Sequence, residues 1–234
     1  MKKFSVVGKS EESALLMRKH AEKHGFVFVE KNPDFVISYG GDGMFLIAER
    51  IFPGVPKVLL RDSKICNKCH NLPTEEVLKL LSEGKFTTEE STKLSAELKN
   101  NSEVLKYECA NDFVLRNKWP IHAIRFEVYI NDKKIGDEFI GDGLVVSTSF
   151  GSGGYHHSIT RKTFSKGIGI AFNNLTKETS HLVVEENSEV KIKLIRGDFM
   201  FVADNNPKIF EPEEGTEILI KKSSHPAKLV WVEK

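Results

Sequence analysis

The pattern of apolar residues changes about a third of the way along the chain, and this change limits the folds open to it. Before about Gly84, short apolar runs alternate with amphipathic stretches, which predicts a parallel sheet with helices on its faces. After Gly84, strand-like runs follow one another with turn residues between them, which predicts antiparallel β structure. We therefore expect two domains, an α/β domain over residues 1–84 and a β domain over residues 85–234.

The expected elements can be placed approximately from the same pattern. In the first part, strands are expected at 4–8, 26–29, 34–39 and 58–60. Helices are expected between Ser10, a candidate N-cap, and Gly25, a candidate C-cap, and at 44–51 and 74–81. In the second part, the clearest strands are 123–130, 144–148, 190–195, 199–202, 218–220 and 229–232.

The composition is that of an ordinary soluble protein, with 40% hydrophobic and 29% charged residues among 234. Its formal net charge of +1 creates no overall field for nucleic acid or an anionic membrane, so neither is expected as a partner. No apolar run approaches the roughly 20 residues that span a bilayer. The apolar stretch after Lys2-Lys3 is also shorter than that of a signal peptide, so we expect a cytoplasmic protein.

Three cysteines, Cys66, Cys69 and Cys109, are too few and odd in number for a disulfide scaffold. The run 66–70 formally matches a c-type haem attachment motif, but without an export signal we do not expect haem. A zinc site needs about four ligands, and the chain has no second cysteine pair. His20 and His24 are expected to be surface imidazoles on a helix, so no metal site is predicted.

A glycine cluster, Gly40-Gly41-Asp42-Gly43, joins a buried strand directly to a helix. Glycine lets the backbone approach a ligand closely, and a helix start offers N–H groups and a positive dipole end, which together suit phosphate. A carboxylate in such a loop makes sense as a general base for an attacking hydroxyl or as a magnesium contact. The alternative is a tight turn in which Asp42 is only the N-cap, and this segment alone does not decide between them.

A second cluster follows a later strand with hydroxyls and glycines and ends in an aromatic ring. Hydroxyls and backbone amides suit phosphates and ribose, and Tyr155 is placed to stack on an adenine. A flexible surface loop is the alternative, but the Asp-Gly pair in front and the tyrosine behind favour a binding site. The candidate residues are Asp142, Ser147, Thr148, Gly151, Ser152, Gly153, Gly154 and Tyr155.

A third segment, Asn111-Asp112, opens the strand-like run 113–115. An amide and a carboxylate side by side can bind an adenine edge and ribose hydroxyls. Taken alone, however, the pair is better explained as a plain turn before a strand.

Together and in this order, over nearly the whole chain, the three segments resemble the NAD kinases. That family carries a Gly-Gly-Asp-Gly-Thr loop, an Asn-Glu pair, and an Asp-Gly strand leading to Ser-Thr-Pro-Thr-Gly-Ser-Thr-Ala-Tyr. Residues 40–43 match the loop, and Asn111 matches the pair, with Asp112 in place of Glu. Asp204 lies where the family has an apolar-to-Asp-Gly turn. The third motif is matched by Asp142, Gly143, Ser147, Thr148, Gly151, Ser152 and Tyr155.

The resemblance implies an enzyme that transfers the γ-phosphate of ATP, or of polyphosphate, to the adenosine-ribose 2′-hydroxyl of NAD(H). Asp42 would be the base that activates this hydroxyl, and Mg²⁺ would arrive with ATP. A homo-oligomer, a dimer or a tetramer, is implied as well. Asn111, Asp112 and Tyr155 would hold the dinucleotide, and Ser152, Gly153, Gly154 and Ser158 would line an adenine pocket. The full expected binding set is Gly40, Gly41, Gly43, Asn111, Asp112, Asp142, Ser147, Thr148, Gly151, Ser152, Gly153, Gly154, Tyr155, Ser158 and Asp204.

The chain departs from the family pattern at several positions. Met44 replaces the threonine of the loop, Ser149-Phe150 replaces Pro-Thr, and Gly153-Gly154 replaces Thr-Ala. Two other functions stay open at this stage. One is a non-catalytic dinucleotide-binding protein, which Met44 favours and the retention of Asp42 disfavours. The other is a lipid kinase with a similar loop, which the apolar residues after Gly43 disfavour.

Overall fold

Strands and helices alternate in the first part of the chain, as the sequence predicts. The computed structural model describes residues 2–100, 103–177, 179 and 181–233. The first elements are β1 (Lys3–Gly8), α1 (Glu11–Lys23), β2 (Val27–Phe28), β3 (Phe35–Gly40), α2 (Asp42–Ile51), β4 (Lys57–Arg61), α3 (Thr74–Ser82) and β5 (Phe86–Ser91).

The rest of the chain is mostly strand, with one short helix. These elements are β6 (Leu94–Asn100), β7 (Glu103–Cys109), β8 (Asp112–Asn117), β9 (Ile124–Ile130), β10 (Lys133–Gly141), β11 (Gly143–Thr148), a 3₁₀ turn (Phe150–Gly153), α4 (Tyr155–Thr160), β12 (Ile168–Asn173), β13 (Leu182–Val184), β14 (Val190–Arg196), β15 (Phe199–Ala203), β16 (Glu217–Lys222) and β17 (Ala227–Val232).

The first structural unit contains a six-stranded sheet in the order β2-β1-β3-β4-β17-β5. Neighbouring strands from β2 to β17 run parallel, and only the β17–β5 pair among them is antiparallel. The central strand β3 is buried along nearly its whole length, as expected for a parallel strand covered on both faces. Its core includes the packed rings of Phe4, Phe26 and Phe35.

The predicted domain boundary needs correction. The first unit extends to Ser91 and also includes the chain from Pro226 onward, whereas the second unit is Thr92–His225. The sequence places the boundary after Gly84 and assigns the last strand to the β domain. Instead, β17 pairs with β4 and β5 in the first sheet. Such long-range pairing is not marked in the sequence, because the short apolar run of β17 does not specify which strands it pairs with.

The second unit consists of two antiparallel sheets that share one apolar core. Their strand orders are β10-β9-β14-β16-β6-β7 and β13-β12-β11-β8-β15. Phe139 of the first of these sheets stacks on Phe172 of the second, with ring centroids 4.6 Å apart. The inward faces are apolar on both sheets, so the unit is a β-sandwich.

Helix α1 illustrates how local sequence sets an element's ends. Ser10 is the N-cap, and it forms a capping box with Ser13, each side chain accepting from the other residue's backbone N–H. The C-cap is His24, and Gly25, the predicted cap, follows it at a φ of 84°. The helix therefore ends one residue before the predicted position.

No helix in the part of the chain that the structure describes is both long and apolar enough to cross a bilayer.

Candidate functional site

The glycine loop lies at the carboxyl end of the central parallel strand. Gly40 is the last residue of β3, Gly41 is the N-cap of α2 and Asp42 is its first residue. The alternative interpretation was a tight turn in which Asp42 serves only as the N-cap. Because Gly41 is the N-cap, that interpretation is wrong. Ligands of open α/β sheets bind beyond the carboxyl ends of strands, and this loop lies at that edge.

Gly40 and Met44 pack directly against each other. A Cβ placed on Gly40 would lie 2.3 Å from Cγ of Met44, so no larger residue fits here without a shift. Met44 also packs on the apolar cluster of Val7, Val36 and Ala48. The methionine that replaces the family's threonine thus fills space beneath the loop.

The carboxylate of Asp42 is held by the segment that follows β4. The backbone N–H of Lys68 donates to Oδ1 at 2.9 Å, and the backbone N–H of Asn67 donates to Oδ2 at 3.1 Å. Burial lowers the pKa of the Lys68 ammonium, and the charge of Asp42 opposes that shift. Asp42 is thus a carboxylate in a fixed orientation beside the start of a helix.

Cys66 and Cys69, in the same segment, are joined by a disulfide. This bond differs from the expectation from the sequence, in which the cysteines are interpreted only as a scaffold, haem or zinc motif. Sγ of Cys66 lies 3.2 Å from Oδ1 of Asp42, and Sγ of Cys69 lies 3.8 Å from the carbonyl oxygen of Gly40. The Cys-x-x-Cys spacing is the sequence signal from which a redox pair could have been predicted.

Among the described residues, no group of three or more His, Cys, Asp or Glu side chains is arranged to hold a metal ion. Both His20 and His24 contact the carboxylate of Glu75 instead.

In the second unit, Asp204 organises the Asn111-Asp112 pair. Its carboxylate accepts hydrogen bonds from three successive backbone N–H groups, those of Ala110, Asn111 and Asp112, at 2.7–3.1 Å. Asp204 itself has a φ of 51°, a left-handed conformation that aspartate tolerates. Asp204 was expected to bind the nucleotide, but its carboxylate holds the backbone of residues that were expected to do so.

Asp112 is a buried carboxyl group whose surroundings disfavour its ionised form. Its side chain is 7% exposed, and desolvation together with the nearby charge of Asp204 raises its pKa from 3.8 to about 7. Burial likewise raises the pKa of Asp204, although its three N–H donors oppose the shift. Strongly shifted carboxyl groups cluster at functional sites, so this environment favours a binding role for Asp112 over a plain turn.

The hydroxyl-rich segment is folded into a 3₁₀ turn and a helix rather than a flexible loop. Its two strand-end hydroxyls are buried and used internally. The Thr148 hydroxyl donates to the carbonyl of Ala110 at 2.7 Å and accepts from the N–H of Gly151 at 2.9 Å. The Ser147 hydroxyl lies within hydrogen-bond distance of the carbonyls of Asn111 and Thr148. These bonds hold both residues against the Asn111-Asp112 segment, and their predicted contact with a ligand stays a prediction.

Two glycines bring the same segment against the Asn111-Asp112 pair. A Cβ on Gly151 would lie 2.4 Å from the carbonyl oxygen of Asn111, so only glycine allows this approach. A Cβ on Gly154 would lie 3.9 Å from both Nδ2 of Asn111 and Oδ2 of Asp112. The structure therefore places Gly151 and Gly154 next to the pair, as the binding-site hypothesis requires.

The remaining predicted pocket residues differ in accessibility. Gly153 and Ser158 are exposed, and the Ser158 hydroxyl donates to the carbonyl of Tyr155 within α4. Ser152 is buried, and its hydroxyl donates to the carbonyl of Phe164 at 3.0 Å. The Tyr155 hydroxyl accepts from Nδ2 of Asn173 at 3.4 Å.

Asp142 lies at the opposite end of β11 from this cluster. The register pairs Ser147 with Asp112 and Gly143 with Arg116, so at about 3.3 Å per residue Asp142 is roughly 16 Å along the strand from Ser147. Its carboxylate accepts from the side-chain amides of Asn117 and Asn174. Its predicted contact with the dinucleotide therefore stays a prediction, separate from the Asn111-Asp112 cluster.

The glycine loop with its fixed carboxylate and the Asn111-Asp112 pair are the segments that resemble the NAD kinases, and sequence comparison shows the family. Residues 110–232 match the family described as the ATP-NAD kinase C-terminal domain. The chain is 30% identical over 204 residues to the NAD kinase of Sulfurisphaera tokodaii, covering 82% of this chain and 78% of that protein. The chain belongs to the NAD kinase family, and it is a phosphotransferase.

Another relative is described as bifunctional. The chain is 30% identical over 206 residues to the bifunctional NADP phosphatase/NAD kinase of Methanococcus maripaludis. This match covers 83% of the chain but only 36% of the relative, so the chain spans about a third of that protein.

Solved structures confirm the predicted two-part fold. The yeast NADH kinase complexed with NADH superposes with a TM-score of 0.88 at 13% identity, covering 100% of this chain and 84% of that one. An NAD kinase from Archaeoglobus fulgidus in complex with ATP gives a TM-score of 0.79 at 20% identity, covering 99% and 94%. At these identities the likeness concerns the fold alone.

Proposed function

We propose that this protein transfers the γ-phosphate of ATP to the 2′-hydroxyl of the adenosine ribose of NAD(H), giving NADP(H) and ADP. The observation that carries the proposal is the placement of Asp42. This carboxylate is held in one orientation by two backbone N–H groups, at the start of a helix that follows a glycine loop. Family membership supplies the substrate class, and the ATP and NADH complexes of two proteins of the same fold support it.

Asp42 is the general base in this proposal. As the ribose 2′-oxygen attacks the γ-phosphorus, its proton passes to a carboxylate oxygen of Asp42, and the bond to ADP breaks. Little covalent work is left for the protein in phosphoryl transfer, so positioning and charge carry most of the rate enhancement. Two N–H donors occupy part of the four lone-pair positions that a carboxylate offers, and the others are left for the substrate proton.

Gly40, Gly41 and Gly43 let the phosphates approach the backbone in this proposal. Gly41, the N-cap of α2, has no side chain, and the positive end of the helix dipole at this residue favours phosphate groups. Mg²⁺ is proposed to arrive with ATP, held mainly by phosphate oxygens, since the described residues form no cage for it.

In the second unit, Asn111, Asp112 and the backbone of Gly154 are proposed to bind the adenosine part of the dinucleotide. Hydroxyl or amine donors of the ligand would relieve the unfavourable burial of Asp112, whose pKa is about 7 in the unliganded protein. Asp204, Thr148, Ser147 and Gly151 act as positioning residues for this contact. The flat ring of Tyr155 is proposed to stack on the base.

The proposed test is a phosphoryl-transfer assay in which each phosphoryl donor is combined with each dinucleotide acceptor. The purified protein is incubated with ATP–Mg²⁺ or polyphosphate as donor and NAD⁺ or NADH as acceptor, and NADP(H) is quantified. Product with ATP supports the proposal, and the rates identify the preferred redox form and donor. No product in any combination, with NAD still bound by calorimetry, would replace the proposal with that of a non-catalytic binding protein.

A cytoplasmic homo-oligomer is also proposed, on the basis of the family resemblance. Light scattering of the purified protein measures its mass in solution. A mass of 26.4 kDa, that of one chain, would contradict this part of the proposal.

A further inference from the structure

The Cys66–Cys69 pair is the one sequence motif that the proposed function does not use, and both of its sulfurs face the glycine loop. Sγ of Cys66 lies 3.2 Å from Oδ1 of Asp42, and Sγ of Cys69 lies 3.8 Å from the carbonyl oxygen of Gly40. The segment between them supplies the two N–H groups that hold Asp42. The pair is therefore in direct contact with the proposed base and its loop.

The oxidation state of the pair decides what Cys66 can do to Asp42. A disulfide sulfur carries no hydrogen, so in the oxidised protein the Cys66 sulfur touches Oδ1 without donating to it. A thiol is a weak donor, and at this distance it would donate to Oδ1. Because Lys68 already donates to the same oxygen, a thiol would take a further lone pair that the substrate hydroxyl needs.

The disulfide also restricts the segment that positions the base. It closes a loop of four residues whose ends are fixed on both sides. On one side, the Arg61 guanidinium donates to the carbonyl of Cys66 at 2.9 Å. On the other, the N–H of His70 donates to the carbonyl of Leu59 at 3.0 Å. Opening the disulfide adds chain freedom between these anchors, where the donors to Asp42 lie.

We propose that Cys66 and Cys69 are positioning residues for the base, and that reduction of their disulfide lowers the rate of phosphoryl transfer. This inference rests on the proposed function, since it assigns Asp42 as the base. A dithiol reductant drives the change by thiol–disulfide exchange. One reductant thiolate attacks a sulfur and breaks the S–S bond, and the second resolves the mixed disulfide. The two cysteines gain two electrons and two protons, and the reductant becomes a disulfide.

Access to the pair is through an exposed surface segment. The cysteine side chains are 4% and 6% exposed, but their neighbour Ile65 is 74% exposed and Asn67 is exposed as well. Reduction therefore needs a local opening of this segment, and we expect it to be slower than reduction of a surface disulfide. Cys-x-x-Cys disulfides that are transient rather than structural commonly serve redox sensing.

The first test compares oxidised and reduced full-length protein under identical assay conditions. Thiol counting after acid quench verifies the two states, because Cys109 is the third cysteine and lies buried in the second unit. We expect reduction to lower kcat about tenfold or more, the scale of one hydrogen bond to a charged group. The KM for NAD⁺ should change little, since Asp42 acts on the proton. Equal kcat in both states would overturn the proposal.

Single-cysteine variants separate the thiol from the loss of the disulfide. Cys69→Ala leaves the Cys66 thiol free to donate to Asp42, whereas Cys66→Ala removes both the disulfide and that donor. We expect Cys69→Ala to have the lower kcat of the two, and neither to respond to reductant. A kcat equal to that of the oxidised wild type in both variants would overturn the proposal, and equal losses in the two would exclude the Cys66 thiol's hydrogen bond as the cause. Cys109→Ala is the matched control, and it should respond to reductant as the wild type does.

A readout without turnover keeps this inference distinct from the proposed function. The carboxyl carbon of Asp42 and the amide groups of Asn67 and Lys68 are followed by NMR as the disulfide is reduced. Shifts at these three residues support the redox contact even if no NADP forms. Unchanged signals at verified reduction would exclude the contact, whatever the enzyme's activity.

Discussion

Gly151 lies directly on the backbone of Asn111, with room for no side chain between them. A Cβ at this position would be 2.4 Å from the Asn111 carbonyl oxygen and 2.6 Å from its Cα. The same carbonyl accepts the N–H of Thr148 at 2.8 Å, so the segment that follows β11 is fixed against the Asn-Asp pair. The shape of this segment of the second unit thus depends on one close approach.

Replacing this glycine should therefore disturb the site. We expect Gly151→Ala to raise the KM for NAD⁺ and to reduce the free energy of unfolding by about 1–3 kcal/mol, because backbone atoms must move. Gly153→Ala is the control, since a Cβ at Gly153 meets nothing within 4 Å. Steady-state kinetics and urea unfolding measure both effects. Two variants with the same kinetics would show that this approach does not shape the site.

Removing the charge of Asp42 should affect turnover rather than binding. We expect Asp42→Asn to lower kcat about a hundredfold or more, the contribution of a general base, while NAD⁺ still binds by calorimetry. The amide can replace only one of the two carboxylate oxygens that accept from Asn67 and Lys68, so thermal unfolding is measured alongside. Asp132→Asn changes an exposed turn aspartate that is paired with Lys191 and should leave kcat unaltered. Near-normal turnover of Asp42→Asn would overturn its assignment as the base.

The ring of Tyr155 should contribute to dinucleotide affinity. We expect Tyr155→Ala to raise the KM for NAD⁺ about two- to tenfold, in line with the value of an aromatic contact. Tyr155→Phe keeps the ring and loses the hydroxyl that accepts from Asn173, and it should stay close to wild type. An unchanged KM in the alanine variant would mean that the ring packs only against the protein.

The burial of Asp112 should make stability depend on pH. Its folded pKa of about 7 lies above the reference value of 3.8, so the protonated form is favoured by folding. Its favourable contribution is complete below about pH 3.8 and is lost as the pH rises through about 7. Asp112→Asn cannot ionise, and we expect it to stabilise the unliganded protein by about 2–4 kcal/mol above pH 7. This increase in the free energy of unfolding should become steadily smaller as the pH falls toward 4.

Urea unfolding of this variant at pH 5 and at pH 8 measures the effect, with the exposed Asp137→Asn as control. The same variant should bind NAD⁺ more weakly, because the carboxylate acceptor is lost. An Asp112→Asn protein that is no more stable at pH 8 than the wild type would contradict the electrostatic description of the pair.

Local sequence patterns predicted those strands, loops and helices whose formation depends mainly on residues close together in the chain. The strand, glycine loop and helix around Asp42 were placed within a residue or two, because burial and glycine mark them directly. Long-range pairing was not predictable in the same way. The last strand, β17, joins the first sheet, and nothing in its own residues distinguishes the two sheets.

The roles of individual side chains also depend on contacts between segments that lie far apart in the chain. Sequence grouped Asp142 with the residues up to Tyr155, but strand register places it at the other end of β11. Ser147, Thr148 and Asp204 look like ligand contacts by residue type, yet their oxygens bond to the protein backbone. Which polar group faces a ligand depends on packing between segments distant in the chain, and no motif records it.

The most direct test of the account is phosphate transfer from γ-labelled ATP to NAD⁺, followed by phosphorus NMR of the product. We predict that label appears in the dinucleotide as a 2′-phosphomonoester on the adenosine ribose, and that Asp42→Asn forms it at a small fraction of the wild-type rate. Label that is released only as inorganic phosphate, or that never enters the dinucleotide, would contradict the central claim.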